Sequence, residues 1–200
     1  MSTAKLRLLI NRMYTLVVRS DFHHLGSDLD PRVEVKHPQF MSIGKGVYIR
    51  PYVWLYAVLG HYGHQNIYLP SLKIEDGCSL GRFCHIVCAN QVVLERHVLL
   101  AEGVFISDNN HGYKNTGIPI MHQPLDVSGP VIIGAGTWIG NGARIIGQVK
   151  IGKNCVIGTN TVVSNMNIPD YSIVVGNPSR IVKQYDSNLL TWKRMEGMHL

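Results

Sequence analysis

The chain has 200 residues, 46% of them hydrophobic and 16% charged, with four cysteines and a formal net charge of +6. That apolar content excludes a disordered chain, the length suits one domain spanning 1–200 but is short for a second core, and the basic excess favours anionic ligands. No apolar run approaches the roughly 20 residues that a membrane-spanning helix needs.

The opening stretch, MSTAKLRLLINRMYTLVVRS, is interrupted by Asn11, Arg12 and Arg19 and lacks a small-residue cleavage site, so it is not expected to be a signal peptide. Within it Leu6, Leu9, Ile10, Met13, Leu16 and Val17 recur at steps of three and four, with Lys5, Arg7, Arg12 and Arg19 between them. This predicts an amphipathic helix inside an N-terminal cap over residues 1–25. Two roles fit such a helix: covering the open end of the structure that follows, which is preferred, and peripheral association with an anionic membrane.

From residue 40 to 183 the chain keeps a different beat. An aliphatic residue stands at every sixth position: Ile43, Ile49 and Leu55; Ile74, Leu80 and Ile86; Leu94, Leu100 and Ile106; then Ile133, Ile139, Ile145, Ile151, Ile157 and Val163 without a break. A helix repeats its buried face every 3.6 residues and a strand every two, so a step of six needs a third geometry. The parallel β-helix supplies it, with three six-residue units to a coil and about five coils here. Four residues after each aliphatic comes a small or β-branched residue, among them Val47, Val53, Cys78, Cys84, Val98, Val104, Thr137, Ala143, Val149, Cys155 and Thr161. A narrow coil needs such a second inward residue.

Glycines directly after the aliphatic, at 44, 81, 134, 140, 152 and 158, are expected to supply positive φ at the corners. Cys78, Cys84 and Cys155 occupy the small inward position and only Cys88 does not, which predicts reduced thiols and a cytoplasmic protein. Tyr48, Tyr52, Trp54 and Tyr56 alternate as if along one strand, suited to stacking on sugar rings or packing on a neighbouring subunit.

Two insertions break the beat, at residues 56–73 (with HYGHQNIYLP) and 107–130 (SDNNHGYKNTGIPIMHQPLDVSGP). Insertions in solenoids project from one face and often carry function. Beyond the repeat, residues 184–200 form a tail, in which Ser187 to Met195 is expected to be a short closing helix anchored by Trp192.

The tract IIGAGTWIGNGARIIGQVKIGKNCVIGTNTVVSNMNIPDYSIVVGNPSRIV resembles the hexapeptide-repeat acyltransferases, in the branch of galactoside, maltose and polysaccharide O-acetyltransferases. TWIGNGA and VGNPSRIV carry the resemblance most specifically. It implies an all-β fold, a left-handed parallel β-helix, assembled as a homotrimer with acetyl-CoA bound between subunits. Handedness comes from the resemblance alone, since parallel crossovers are ordinarily right-handed.

By the same resemblance, His111 in SDNNHGY falls at the catalytic histidine, a general base that takes the proton of an acceptor hydroxyl so that it attacks the thioester directly. Asp108 either orients that ring or hydrogen-bonds the acceptor, or else forms a local turn. His122 is a second, weaker candidate base, while His61 and His64 are read as loop residues in preference to groups that reach the acceptor in a trimer. Trp138 matches the tryptophan bordering the active-site tunnel, and Asn141 a backbone amide facing the thioester oxygen. Thr159, Ser164 and Asn165 match positions along the pantetheine arm, although related enzymes often carry Thr-Lys where this chain has Ser164-Asn165. Asn177 in the GNPS turn, Arg180 and Lys183 complete the coenzyme set, the two cations facing its phosphates. The related γ-type carbonic anhydrases hold zinc with His-x4-His on this fold, and no two histidines here stand five apart, so no metal is expected.

The sequence therefore predicts an acetyl-CoA-dependent O-acetyltransferase acting on a saccharide hydroxyl, in bacterial surface polysaccharide (lipopolysaccharide or capsule) synthesis. An N-acetyltransferase of an amino sugar or an antibiotic is the alternative on the same fold, and a non-catalytic β-helix assembly protein the alternative of another class. No nucleic-acid motif accompanies the basic charge, so no nucleic-acid partner is expected.

Overall fold

The computed structural model describes residues 3–64 and 67–195. In it each six-residue unit forms one short strand and one corner. After three units the chain lies beside its own start, so equivalent units pair in parallel and build three sheets, of seven, eight and six strands. The first sheet stacks Leu25, Ile43, Ile74, Leu94, Ile133, Ile151 and Ile168 in register. The second stacks Ile49, Leu80, Leu100, Ile139, Ile157 and Val174. The third stacks Val35, Leu55, Ile86, Ile106, Ile145 and Val163. Five complete coils run from Met41 to Ser164, as the beat predicts, with a partial turn before them (His24–Leu25, Glu34–Lys36) and another after (Asn167–Ile168, Ser172–Val175).

Nearly every aliphatic of these rows is buried, and together they form one continuous core. At roughly 1.5–3 kcal/mol for each fully buried aliphatic side chain, the rows are the main source of stability. The second inward register is buried along its whole length, from Val47 to Thr161. Where it is polar it is satisfied: the Thr137 hydroxyl donates to the Gly152 carbonyl at 2.8 Å and accepts the Cys155 N–H at 3.0 Å, tying two coils together. All four cysteines are free and buried, Cys88 included. Burial pushes the Cys78 and Cys84 thiols up to about 11.

The glycines have a different cause from the one expected. None of the six that follow an aliphatic has positive φ. A Cβ on Gly81 would stand 2.6 Å from the Ala101 carbonyl carbon of the next coil, so glycine is needed for close approach of stacked backbones. At the corners after the first and second sheets the left-handed residue comes two positions later, three after the aliphatic: Gly46, Tyr52, Gly77, Phe83, His97, Gly103, Gly136, Gly142, Asn154, Asn160 and Tyr171. Glycine and asparagine, the residues that tolerate this region most readily, hold seven of those eleven sites.

Both ends depart from expectation. The predicted closing helix is a strand pair: Arg180–Asp186 joins the second sheet antiparallel to Ser172–Val175, and Thr191–Arg194 pairs with it in turn. The Asp186 carboxylate accepts the Asn188 and Leu189 N–H groups at 2.9 and 3.0 Å, which turns the chain back instead of starting a helix, and Tyr185 meets Trp192 across the hairpin. Residues 196–200 of the predicted tail lie outside the described residues.

The N-terminal helix, Thr3–Val18, forms as predicted and sits on the first turn. Its attachment is largely polar. The Thr15 hydroxyl accepts the Leu29 N–H at 2.7 Å, and Arg7 pairs at 2.9 Å with Asp30, which Arg32 also grips. The hydrogen-bonded Arg32 guanidinium, with help from Arg7, holds the buried Asp30 carboxyl far below its ordinary range. Tyr14 and Val18 pack on the core, but the predicted apolar stripe faces outward. The four early aromatics do not share a strand either: Tyr48 is in the second sheet, Tyr52 at a left-handed corner, and Trp54 and Tyr56 on the outer face of the third sheet.

Candidate active site at one corner of the helix

Both insertions leave the same corner, between the third sheet and the first. One runs from the end of the strand Trp54–Ala57 to Ser71, the other from the strand Phe105–Ser107 to Val131. The coil between them turns that corner tightly, from Cys88 to Gln91. Two loops 50 residues apart in sequence therefore project side by side, one coil removed, and meet above the tight corner.

The second insertion is an arm with its own fold. Asn109–His111 pairs antiparallel with Leu125–Val127, placing His111 opposite Leu125. Buried Gln123 shapes the tip: its amide donates to the carbonyls of Asn115 and Ile118 at 2.8 and 3.1 Å, and its oxygen accepts the Asn115 N–H. The first insertion braces this arm. The Tyr68 hydroxyl accepts the Leu125 N–H at 2.7 Å, and the His64 ring Nε2–H donates to the His122 carbonyl at 3.1 Å.

At the junction the His61 ring lies 4.8 Å from that of His111, centroid to centroid. His61 is half-buried and its Nε2 has no hydrogen-bond partner among the described residues, whereas His111 is exposed. Burial, then the neighbouring charges of His111 and His64, lower the pKa of His61 below 6.5, against a smaller opposing contribution from the Met121 backbone. His61 is thus biased toward its neutral form at physiological pH. Tyr62 lies between His61 and His122, edge-on to both rings.

Asp108 does not face His111. Its carboxylate is fully buried and accepts the N–H groups of Ala89 and Asn90, each at 2.8 Å, and the Asn109 side-chain amide at 2.9 Å. It rivets the base of the arm to the tight corner below. The contact is more than a local turn, because Ala89 and Asn90 belong to the preceding coil.

The residues matched to coenzyme binding fall in two places. Ser164 and Asn165 lie on the insertion corner, Ser164 stacked in register over Ile146 and Ser107. Asn165 is left-handed, and its side-chain oxygen accepts the Gln148 N–H at 2.9 Å. Trp138 stands on the outer face of the second sheet, 46% exposed, in a row with Leu99, Val156, Ile173 and Lys183. Asn141 and Thr159 occupy equivalent positions one coil apart at the next corner, where the Asn141 carbonyl accepts the Asn160 N–H at 2.8 Å. Asn177 and Arg180 flank the last turn at that end, with Arg180 opposite Val175. Within one chain, then, the second group is separated from His111 by the width of the third sheet. Among the described residues no group of three or more His, Cys, Asp or Glu side chains is arranged to hold a metal ion.

His61, Tyr62, Tyr68 and Gln123 are the residues of this site that sequence reading passes over or treats as plain loop. A signal for the first three was present: both breaks follow the third unit of a coil, Leu55 and Ile106, and breaks of equal phase emerge at one corner.

Residues 130–165 match the family model of the bacterial transferase hexapeptide (six repeats). The structure also superposes on AntD, an N-acyltransferase from Bacillus cereus solved in complex with dTDP and 3-hydroxybutyryl-CoA. That match has a TM-score of 0.68 at 17% identity, over 88% of this chain and 90% of that one. The chain is thus a left-handed parallel β-helix built of hexapeptide repeats. By sequence it is similar to acetyltransferases. It is 31% identical over 127 residues to WbbJ of Escherichia coli (strain K12), a protein named for lipopolysaccharide biosynthesis O-acetyl transfer, over 60% of this chain and 64% of that one. It is 35% identical over 136 residues to Rv3034c of Mycobacterium tuberculosis, named as an acetyltransferase, over 66% of this chain and 44% of the relative. The chain spans less than two thirds of the length of either relative.

Proposed function

We propose that this chain is an acetyl-CoA-dependent O-acetyltransferase that modifies a saccharide hydroxyl in the synthesis of a bacterial surface polysaccharide, working in the cytoplasm where its donor is made. The observation that carries the reading is His111: an exposed imidazole on a braced arm at a coil corner, its ring against the half-buried His61. Similarity to WbbJ supports transfer to oxygen.

In this mechanism His111 accepts the acceptor hydroxyl's proton as the oxygen attacks the thioester carbonyl. The tetrahedral intermediate collapses with cleavage of the carbon–sulfur bond, and the imidazolium returns the proton to the departing thiolate. No acyl-enzyme is formed. His61, kept neutral by burial, is a positioning residue that packs against the ring without competing for the proton. Asp108 positions the arm from below. Trp138, Asn141, Thr159, Ser164, Asn165, Asn177, Arg180 and Lys183 receive the coenzyme, Arg180 and Lys183 through its phosphates.

The separation of Trp138 and Asn141 from His111 in one chain supports a homotrimer, in which the insertion corner of one copy faces the second-sheet wall of the next. The outer face of the third sheet suits burial in such an assembly. It carries Trp54, whose buried Nε1 lacks a partner among the described residues, and a cavity of about 720 Å³ bordered by Phe83, His85, Phe105 and Arg144.

The test is thiol release from acetyl-CoA against a panel of glycans and amines, with the product's linkage read by mass spectrometry and mild base. Base-labile acetyl esters on a sugar are expected. Acetylation of amines only would replace this reading with N-transfer, and absence of coenzyme binding by calorimetry would leave a scaffold protein.

A further inference from the structure

The N-terminal helix turns its apolar stripe away from the molecule. Leu6, Leu9, Ile10, Met13, Leu16 and Val17 fall within a sector about 120° wide at 100° per residue, nearly opposite the side that carries Arg7, Asn11, Tyr14, Thr15 and Val18 onto the first turn. Their exposure runs from 46% at Leu6 to 76% at Val17. Single exposed apolar side chains are ordinary; a contiguous stripe of six on one helix marks a binding surface.

Charge says what that surface meets. Lys5 and Arg12 are seven residues apart, with Arg19 seven further on in the 3₁₀ turn that follows, so the three cations line one edge of the stripe. No acidic residue occurs before Asp21, and the Asp30 carboxylate beneath the helix is committed to Arg7 and Arg32. A second copy of this face would bring a second set of basic residues to a symmetric contact, and no acidic residue from the helix itself. An anionic bilayer answers both features: the stripe enters the boundary between headgroups and acyl chains, while the basic row reaches lipid phosphates.

We propose that the helix Thr3–Val18 docks the protein peripherally on an anionic membrane surface, lying in its plane. The proposal stands on the helix alone and does not need the acyl-transfer reading. No helix among the described residues is long and apolar enough to cross a membrane, so the attachment is interfacial.

Flotation of the full chain with large vesicles tests this, comparing phosphatidylcholine alone with phosphatidylcholine containing about 30% phosphatidylglycerol, at low and physiological salt. The chain is expected to float with the anionic vesicles only, and less so at higher salt. Leu9→Ser/Met13→Ser/Leu16→Ser should lower partitioning by about tenfold or more with the far-ultraviolet circular dichroism unchanged, since these side chains are exposed. Arg12→Glu/Arg19→Glu should abolish the preference for anionic lipid. Absence of flotation, equal binding to neutral vesicles, or undiminished binding by the triple serine variant would overturn the proposal. So would self-association through this face without lipid binding, read by light scattering.

Discussion

Removing the Asp108 carboxylate should cost more than any other single change at the insertion corner. It accepts three hydrogen bonds of 2.8, 2.8 and 2.9 Å, and two of its donors are main-chain N–H groups of the coil below. The residue is fully buried, so water cannot replace the acceptor. A hydrogen bond to a charged group contributes about 1.5–3 kcal/mol. Three do not simply add, because the variant is also relieved of keeping a carboxylate out of water. The net loss for Asp108→Ala is expected at about 3–5 kcal/mol. Asp108→Asn keeps the shape but turns an amide donor toward one of the two N–H groups, and should lose somewhat less. Urea denaturation monitored by fluorescence gives the magnitude, and hydrogen exchange at Ala89 and Asn90 locates it, since those amides should lose protection first. An Asp108→Ala variant within 1 kcal/mol of the parent, or unchanged exchange at Ala89 and Asn90, would refute the rivet.

Other consequences follow from the same geometry. Gly81→Ala drives a Cβ into the Ala101 and Glu102 backbone and should destabilise by about 1–3 kcal/mol. Gly46→Asn, at a φ of +64° with open space around the glycine, should be nearly neutral; equal losses for the two would contradict the split between stacking and left-handed glycines. All four native thiols should resist a disulfide reagent at pH about 8, because they are buried and the Cys78 and Cys84 thiols are pushed up to about 11. Rapid native labelling would mean that the coils open. His61 binds its proton more weakly folded than unfolded. Stability conferred by its neutral form should therefore be complete above pH 6.5 and lost progressively as pH falls below it. His61→Asn should flatten that part of the stability–pH curve, and an unaltered slope would assign the acid loss elsewhere.

The β-helix was legible because its rule is unforgiving. Every sixth side chain must enter a narrow interior, and the inward rows from Ile43 to Val163 leave almost no freedom of residue type. The glycines were legible in position but not in cause, since sequence carries their phase and not the distance to the next coil. At the N-terminus the 3.6-residue period foretold the helix, yet periodicity does not say which side an apolar stripe faces, and here polar contacts through Arg7 and Thr15 turn it outward. The C-terminal hairpin was hidden because Asp186-Ser187 reads equally as a helix cap and as a turn, and only pairing with Ser172–Val175 decides. His111 was reached through resemblance. Its contact with His61 was not, because it arises only when two distant insertions fold at one corner. Asp108 was singled out for its nearness to His111 in sequence, whereas its partners lie 18 and 19 residues back, one coil below.

The role of His111 is decided by turnover of His111→Ala and His111→Gln, measured as thiol release from acetyl-CoA with a saccharide acceptor while coenzyme affinity is followed by calorimetry. Loss of a positioned general base should lower kcat by about 10²–10⁴-fold, with coenzyme affinity held near that of the parent. Turnover within a few-fold of the parent would remove His111 from the chemistry.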